Sequence, residues 1–104
     1  MPSTERQGLV AWVLIEHRVG DFEAFTEVFV GDAARRARLG CTGALVYQVA
    51  DDPGTVIVLL EWESLEAARE FAGSLELEMA MEWAVSHIAT PRVTVLDLAI
   101  DSPH

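Results

Sequence analysis

Apolar and polar positions change period several times along the chain, and the changes mark out a β-α-β-β-α-(α)-β order. Residues 9–19 (LVAWVLIEHRV) are rich in β-branched and aromatic side chains and end at Gly20-Asp21, which predicts a first strand. One face of it carries Leu9, Ala11, Val13, Ile15 and His17, the other Val10, Trp12, Leu14, Glu16 and Arg18. Asp21 suits an N-cap, and Phe22, Phe25, Phe29 and Ala33 recur at helical spacing, predicting one helix over 22–39 with Gly40 just past its end. On its exposed side Asp32 can pair with Arg35 or Arg36. Residues 42–49 (TGALVYQV) and 55–63 (TVIVLLEWE) read as two strands joined by a type II turn at Asp51-Asp52-Pro53-Gly54. Ser64 then caps a helix over 65–72, Gly73-Ser74 breaks it, and a further helix runs over 75–88 before Pro91. Residues 92–100 (RVTVLDLAI) form the last strand.

This order is the split βαβ arrangement of ferredoxin-like α+β domains, a four-stranded antiparallel sheet with helices on one face. The first and third strands are apolar on both faces, so the face without helices needs a partner. A second copy packed sheet against sheet about a two-fold axis is the simplest, giving a homodimer of α+β barrel type.

Composition narrows the chemistry. The chain has 104 residues, 51% hydrophobic, which suits a single domain over 8–100 with short tails at 1–7 and 101–104. Acidic residues number 17 against 7 basic ones, a formal net charge of −10. Such a surface repels phosphate backbones, so neither nucleic acid nor an anionic membrane is expected as a partner. Every basic residue is Arg, which excludes Schiff-base lysines and the P-loop lysine. A lone Cys41 precludes an internal disulfide, and with no apolar leader or span in the sequence the expected location is the cytoplasm. The three histidines show no metal-ligand spacing and no nucleotide-binding glycine motif occurs, so neither metal nor cofactor is expected.

The candidates for chemistry are few. His17 ends an apolar row near the close of the first strand, where it serves either as a proton-transfer group or as a structural histidine. Tyr47 can orient a substrate oxygen or satisfy a structural hydrogen bond. Trp83 and His87 lie four apart on the last helix and share a face, which suits either a flat aromatic substrate or, for His87, a histidine at a helix C-terminus interacting with the helix dipole; Met79 belongs with core and pocket lining.

Three segments, IEHRVGDFEAF, ADDPGTVIVLLEW and SLEAAREFAGSLELEMAM, resemble the small dimeric α+β barrel proteins grouped with antibiotic biosynthesis monooxygenases and often labelled cyclase-like. The resemblance spans roughly residues 10–98. It implies a homodimer with an apolar pocket between sheet and helices in each subunit, and it favours Trp62 as a pocket wall, although core packing alone also explains that residue. It also implies a hydrophobic aromatic or polyketide-like substrate, transformed without a bound cofactor by cyclisation, isomerisation or oxygenation. A non-catalytic ligand-binding or dimerisation module of the same fold is the alternative. The oxygenase and haem-degrading branches place an Asn near their Trp, and this chain has none. Related sequences often carry a His in the middle of the first helix, where this one reads FVGDAARR.

Overall fold

The computed structural model describes residues 11–86 and 91–104, with the side chains of 82–86 left aside. Its elements are β1 (Ala11–Arg18), α1 (Phe22–Gly31), α2 (Ala33–Arg38), β2 (Cys41–Val49), β3 (Asp52–Trp62), α3 (Leu65–Ser86) and β4 (Arg92–Asp97). The four strands form one antiparallel sheet in the order β2-β3-β1-β4, the ferredoxin-like topology. Among the described residues no helix is long and apolar enough to cross a membrane.

The period of two in β1 and β3 builds the core. Val13 faces Leu60, Ile15 faces Val58 and Ala11 faces Trp62 across the ladder. These side chains share the helix-bearing face, and Ala11, Val13, Val56, Val58, Leu60 and Trp62 are buried there under Ala68 and Ala72 of α3. Small alanines let α3 approach the sheet closely, and Phe71 lies over Trp62 with ring centroids 4.7 Å apart. Among the described residues the buried Trp62 Nε1–H has no hydrogen-bond partner.

Four details differ from the sequence expectation. The first helix is two helices. Gly31 and Asp32 are weak helix formers, and at Asp32 the N–H bonds back to both Val28 (3.1 Å) and Phe29 (3.2 Å), so α1 closes and α2 starts afresh. Conversely, α3 runs unbroken through Gly73-Ser74. A helical glycine costs propensity but keeps its N–H and clashes with nothing, so the packing of Ala68, Ala72 and Phe71 on the sheet overrides it. The hairpin turn is Ala50-Asp51, two residues earlier than a turn centred on Pro53, with Val49 paired to Asp52. The carboxylate of Asp52 explains the shift. It accepts from Arg18 Nη1 at 2.6 Å and from the Thr55 hydroxyl at 2.7 Å, which fixes the start of β3 against the end of β1. The last strand stops at Asp97, opposite Ala11. Helix starts follow expectation: Asp21 accepts from the Ala24 N–H at 3.2 Å and Ser64 from that of Ala67 at 3.0 Å. Gly40, at φ 107°, turns the chain out of α2 into β2.

On the opposite face of the sheet, Leu45, Leu59 and Leu14 form a cross-strand row. Tyr47 and Ile57 lie on one side of it, and Trp12 and Leu96 on the other. None of these is fully buried, and Leu45, Tyr47 and Leu96 are exposed.

Candidate functional site

A cleft of about 480 Å³ lies between the helix-bearing face of the sheet and the helices. Its floor is Ile15 and His17 of β1 with Val58 and Leu60 of β3. Phe25, Val28 and Phe29 of α1 form one wall, and Phe71, Leu75 and Met79 of α3 the other. The cleft lies where α1 covers the sheet only in part, with Phe25 and Phe29 packed against the core but not fully buried. No residue of α1 is fully buried, and its aromatic stripe lines the space instead of filling it.

That stripe is ordered. Phe22, Phe25 and Phe29 stack in sequence, with centroids 6.1 and 5.8 Å apart. His17 meets the edge of Phe25 at 6.2 Å and an angle of 74°. At the far end the guanidinium carbon of Arg36 stands 3.9 Å from the Phe29 ring centroid, a cation–π contact. The polar groups in the lining are His17, Asp32 and Arg36, set against apolar and aromatic walls; this is the usual make-up of a small-molecule site.

Arg36 is the residue that sequence reasoning misses. The Asp32–arginine pairs are expected on an exposed side, yet Arg36 is only 7% exposed. Its Nη1 donates to the Phe29 carbonyl at 2.9 Å and lies 3.8 Å from Asp32 Oδ2. Arg35 does point outward, pairing with Asp32 at 3.7 Å and with Glu78 of α3 at 3.5 Å. A signal is present, because Phe22, Phe25, Phe29 and Ala33 extend by three to Arg36. The charge conceals it.

The other sequence candidates divide. His17 and Met79 both line the cleft. Tyr47 does not join them: it is 54% exposed on the opposite face, beside Ile57, with the sheet between it and His17. Trp62 is on the cleft's side of the sheet but wholly buried, behind Phe71, so Phe71 and not the indole meets the cavity. The side chain of Trp83 and all of His87 lie outside the described residues. Cys41 is half-buried and its thiol donates to the Gly43 carbonyl at 3.3 Å, a local structural bond. Among the described residues no group of three His, Cys, Asp or Glu side chains converges on a point that could hold a metal ion.

No curated protein sequence matches the chain. The family model described as antibiotic biosynthesis monooxygenase matches residues 9–83, from the first strand through most of the last helix, and therefore includes the floor and both walls of the cleft. With that match over most of its length and the ferredoxin-like sheet characteristic of the dimeric α+β barrel, the chain belongs to the antibiotic biosynthesis monooxygenase family.

Proposed function

We propose that the protein is a small-molecule enzyme that acts, without a bound cofactor, on a hydrophobic aromatic or polyketide-like substrate of secondary metabolism. The observation that carries this reading is the cleft, which is open, aromatic-walled and, among the described residues, provided with one imidazole, His17, at its floor. A core filled by its own side chains would favour a purely structural module. About 480 Å³ of space instead accommodates a ligand of two or three rings. His17 is the group in position to take a proton from a phenol or an activated carbon. The resulting enolate closes a ring or shifts a double bond. With dioxygen as co-substrate, one oxygen atom enters the ring as a quinone carbonyl and the other leaves as water with two substrate hydrogens.

The open face of the sheet supports a homodimer. Its central row is Leu45, Leu59 and Leu14, flanked by the rows of Tyr47 and Ile57 and of Trp12 and Leu96, within which Glu16 and Glu61 are the acidic positions. Tyr47 belongs to that surface.

The test uses polycyclic phenols such as 1-naphthol, with and without dioxygen, and follows substrate loss and oxygen uptake. His17→Ala is expected to lower turnover by about 10²–10⁴-fold, the usual contribution of a general acid or base, while leaving the dimer intact. Turnover equal to wild type in a folded His17→Ala protein removes the catalytic role. A protein that binds these phenols and transforms none of them is the ligand-binding module instead.

A further inference from the structure

Proton transfer by His17 leaves unexplained a charged group in the same cleft. Arg36 is more than nine-tenths buried among aromatic side chains, a location strongly unfavourable to a cation unless it is paired. Its pairing is incomplete. Of the five N–H donors of a guanidinium, one on Nη1 is used, by the Phe29 carbonyl at 2.9 Å. Among the described residues Nε and Nη2 make no hydrogen bond. The nearest carboxylate, Asp32, stands at 3.8 Å, beyond hydrogen-bond length, and is shared with Arg35 at 3.7 Å.

The arrangement along the wall adds direction. His17 lies against Phe25, Phe25 against Phe29, and Phe29 under Arg36. Imidazole and guanidinium are therefore separated by two stacked phenyl rings. A flat ligand lying along those rings would bring one end to His17 and the other to Arg36. Free donors on a buried cation are suited to an oxyanion, and a guanidinium's planar fork binds one through two parallel hydrogen bonds.

We infer that Arg36 is a specificity-determining residue that binds an ionised oxygen, carboxylate or enolate, on a flat polycyclic ligand. This rests on the reading of the cleft as a small-molecule site and names the substrate class: hydrophobic ring systems of two rings or more, with an acidic oxygen remote from the atom that meets His17. When that oxygen is an enolate or phenolate, Arg36 also stabilises charge that develops as His17 removes the proton.

The experiment compares two probes of the same shape, 2-naphthoate and 2-naphthamide, by titration calorimetry on the wild-type protein, Arg36→Met and Arg36→Lys. Wild type is expected to prefer the anion by at least about tenfold, the ratio that corresponds to one pKa unit. Arg36→Met should lose the preference while keeping its affinity for the amide, and Arg36→Lys should recover part of it. Equal affinity of wild type for both probes overturns the inference and leaves the cleft a binding site. Binding of neither overturns the small-molecule reading and this inference with it.

A second measurement needs no variant and so survives any misfolding of Arg36→Met. Bound 4-nitro-1-naphthol reports its own ionisation by colour. A neighbouring guanidinium lowers its apparent pKa, by about one unit for the same tenfold preference, whereas an apolar cleft alone raises it. A raised value refutes the role of Arg36.

Discussion

Replacing Trp62 by phenylalanine sets two effects of opposite sign against each other. The indole is wholly buried and meets the Phe71 ring at a tilt, centroids 4.7 Å apart. A phenyl group in its place would keep a ring in that contact but remove two carbons and the nitrogen. At about 0.8 kcal/mol per buried carbon, plus a cavity term for incomplete collapse, the loss is about 2–3 kcal/mol. The same change removes the unpartnered Nε1–H. An unsatisfied buried donor costs about 1–3 kcal/mol, and that penalty vanishes with it. The two nearly offset, so Trp62→Phe should lie within about 1.5 kcal/mol of wild type, while Trp62→Ala, which loses the ring contact as well, should cost about 3–5 kcal/mol. Urea denaturation at one fixed protein concentration measures both, since stability of an associating protein depends on concentration. Affinity for 2-naphthamide should be unchanged in Trp62→Phe, because Phe71 and not Trp62 faces the cleft. A loss of about 3 kcal/mol or more in Trp62→Phe refutes the unpartnered indole, since the nitrogen must then hold a native hydrogen bond. Weakened naphthamide binding would show that the indole reaches the cavity.

Gly73→Ala should stabilise the protein by about 0.5–1 kcal/mol in the same assay, because the glycine lies within continuous helix and an added Cβ meets nothing within 4 Å. For Asp52→Asn the prediction concerns pH. The Asp52 carboxyl is held below its ordinary value of 3.8 by the Thr55 hydroxyl first, partly opposed by burial, and then by Arg18 and the Gly54 backbone. A depressed folded-state value contributes stability above the unfolded pKa that is lost as pH falls through the folded one. The gap in melting temperature between wild type and Asp52→Asn should therefore be full at neutral pH, shrink below about pH 4 and disappear at stronger acid; a gap constant across that range contradicts the assignment. For the proposed homodimer, Leu59→Arg places a charge at the centre of the open sheet face and should shift a wild-type dimer to monomer in sedimentation velocity without loss of helix content; a monomeric wild type refutes the dimer, and an unchanged dimer removes that face as its interface.

The order of elements was legible because period-two and period-three-to-four patterning switch cleanly along this chain. Alternation sorted Val13 onto one face of β1 and Val58 with Leu60 onto one face of β3, but with both faces apolar it could not say which face the helices bury. His17 followed from the same parity within one strand, and Met79 from its helix. Tyr47 did not follow, because its face depends on how β2 registers against β3. That register shifts at Cys41/Gly43 and again at Gln48/Val49, and neither irregularity has a local sequence signature. Trp62 was assigned to the correct side of the sheet but not to the correct depth, since nothing in one strand's sequence says that Phe71 of a later helix will lie across it. Gly73 misled in the other direction: local propensity favoured a break, and tertiary packing outweighed about 1 kcal/mol of it.

The break between α1 and α2 ties these observations to the cleft. In an uninterrupted helix the Phe29 carbonyl would accept from the N–H four residues on, that of Ala33. Here it accepts from Asp32 in a tighter turn at 3.2 Å and from the side chain of Arg36 at 2.9 Å. Gly31 and Asp32 thus stop α1 and also leave its last turn with an acceptor for a guanidinium. That bond, with the Phe29 ring beneath it, keeps Arg36 in the wall of the cavity; its neighbour Arg35 reaches outward to Glu78 and ties α2 to α3. The buried stripe that began as Phe22, Phe25 and Phe29 therefore ends on a cation. A helix built only for packing would have put an apolar side chain at position 36, since a buried ion pair adds little to stability. On the inference drawn for Arg36, an acidic oxygen entering the cleft would complete the hydrogen bonds that Asp32, at 3.8 Å, leaves open.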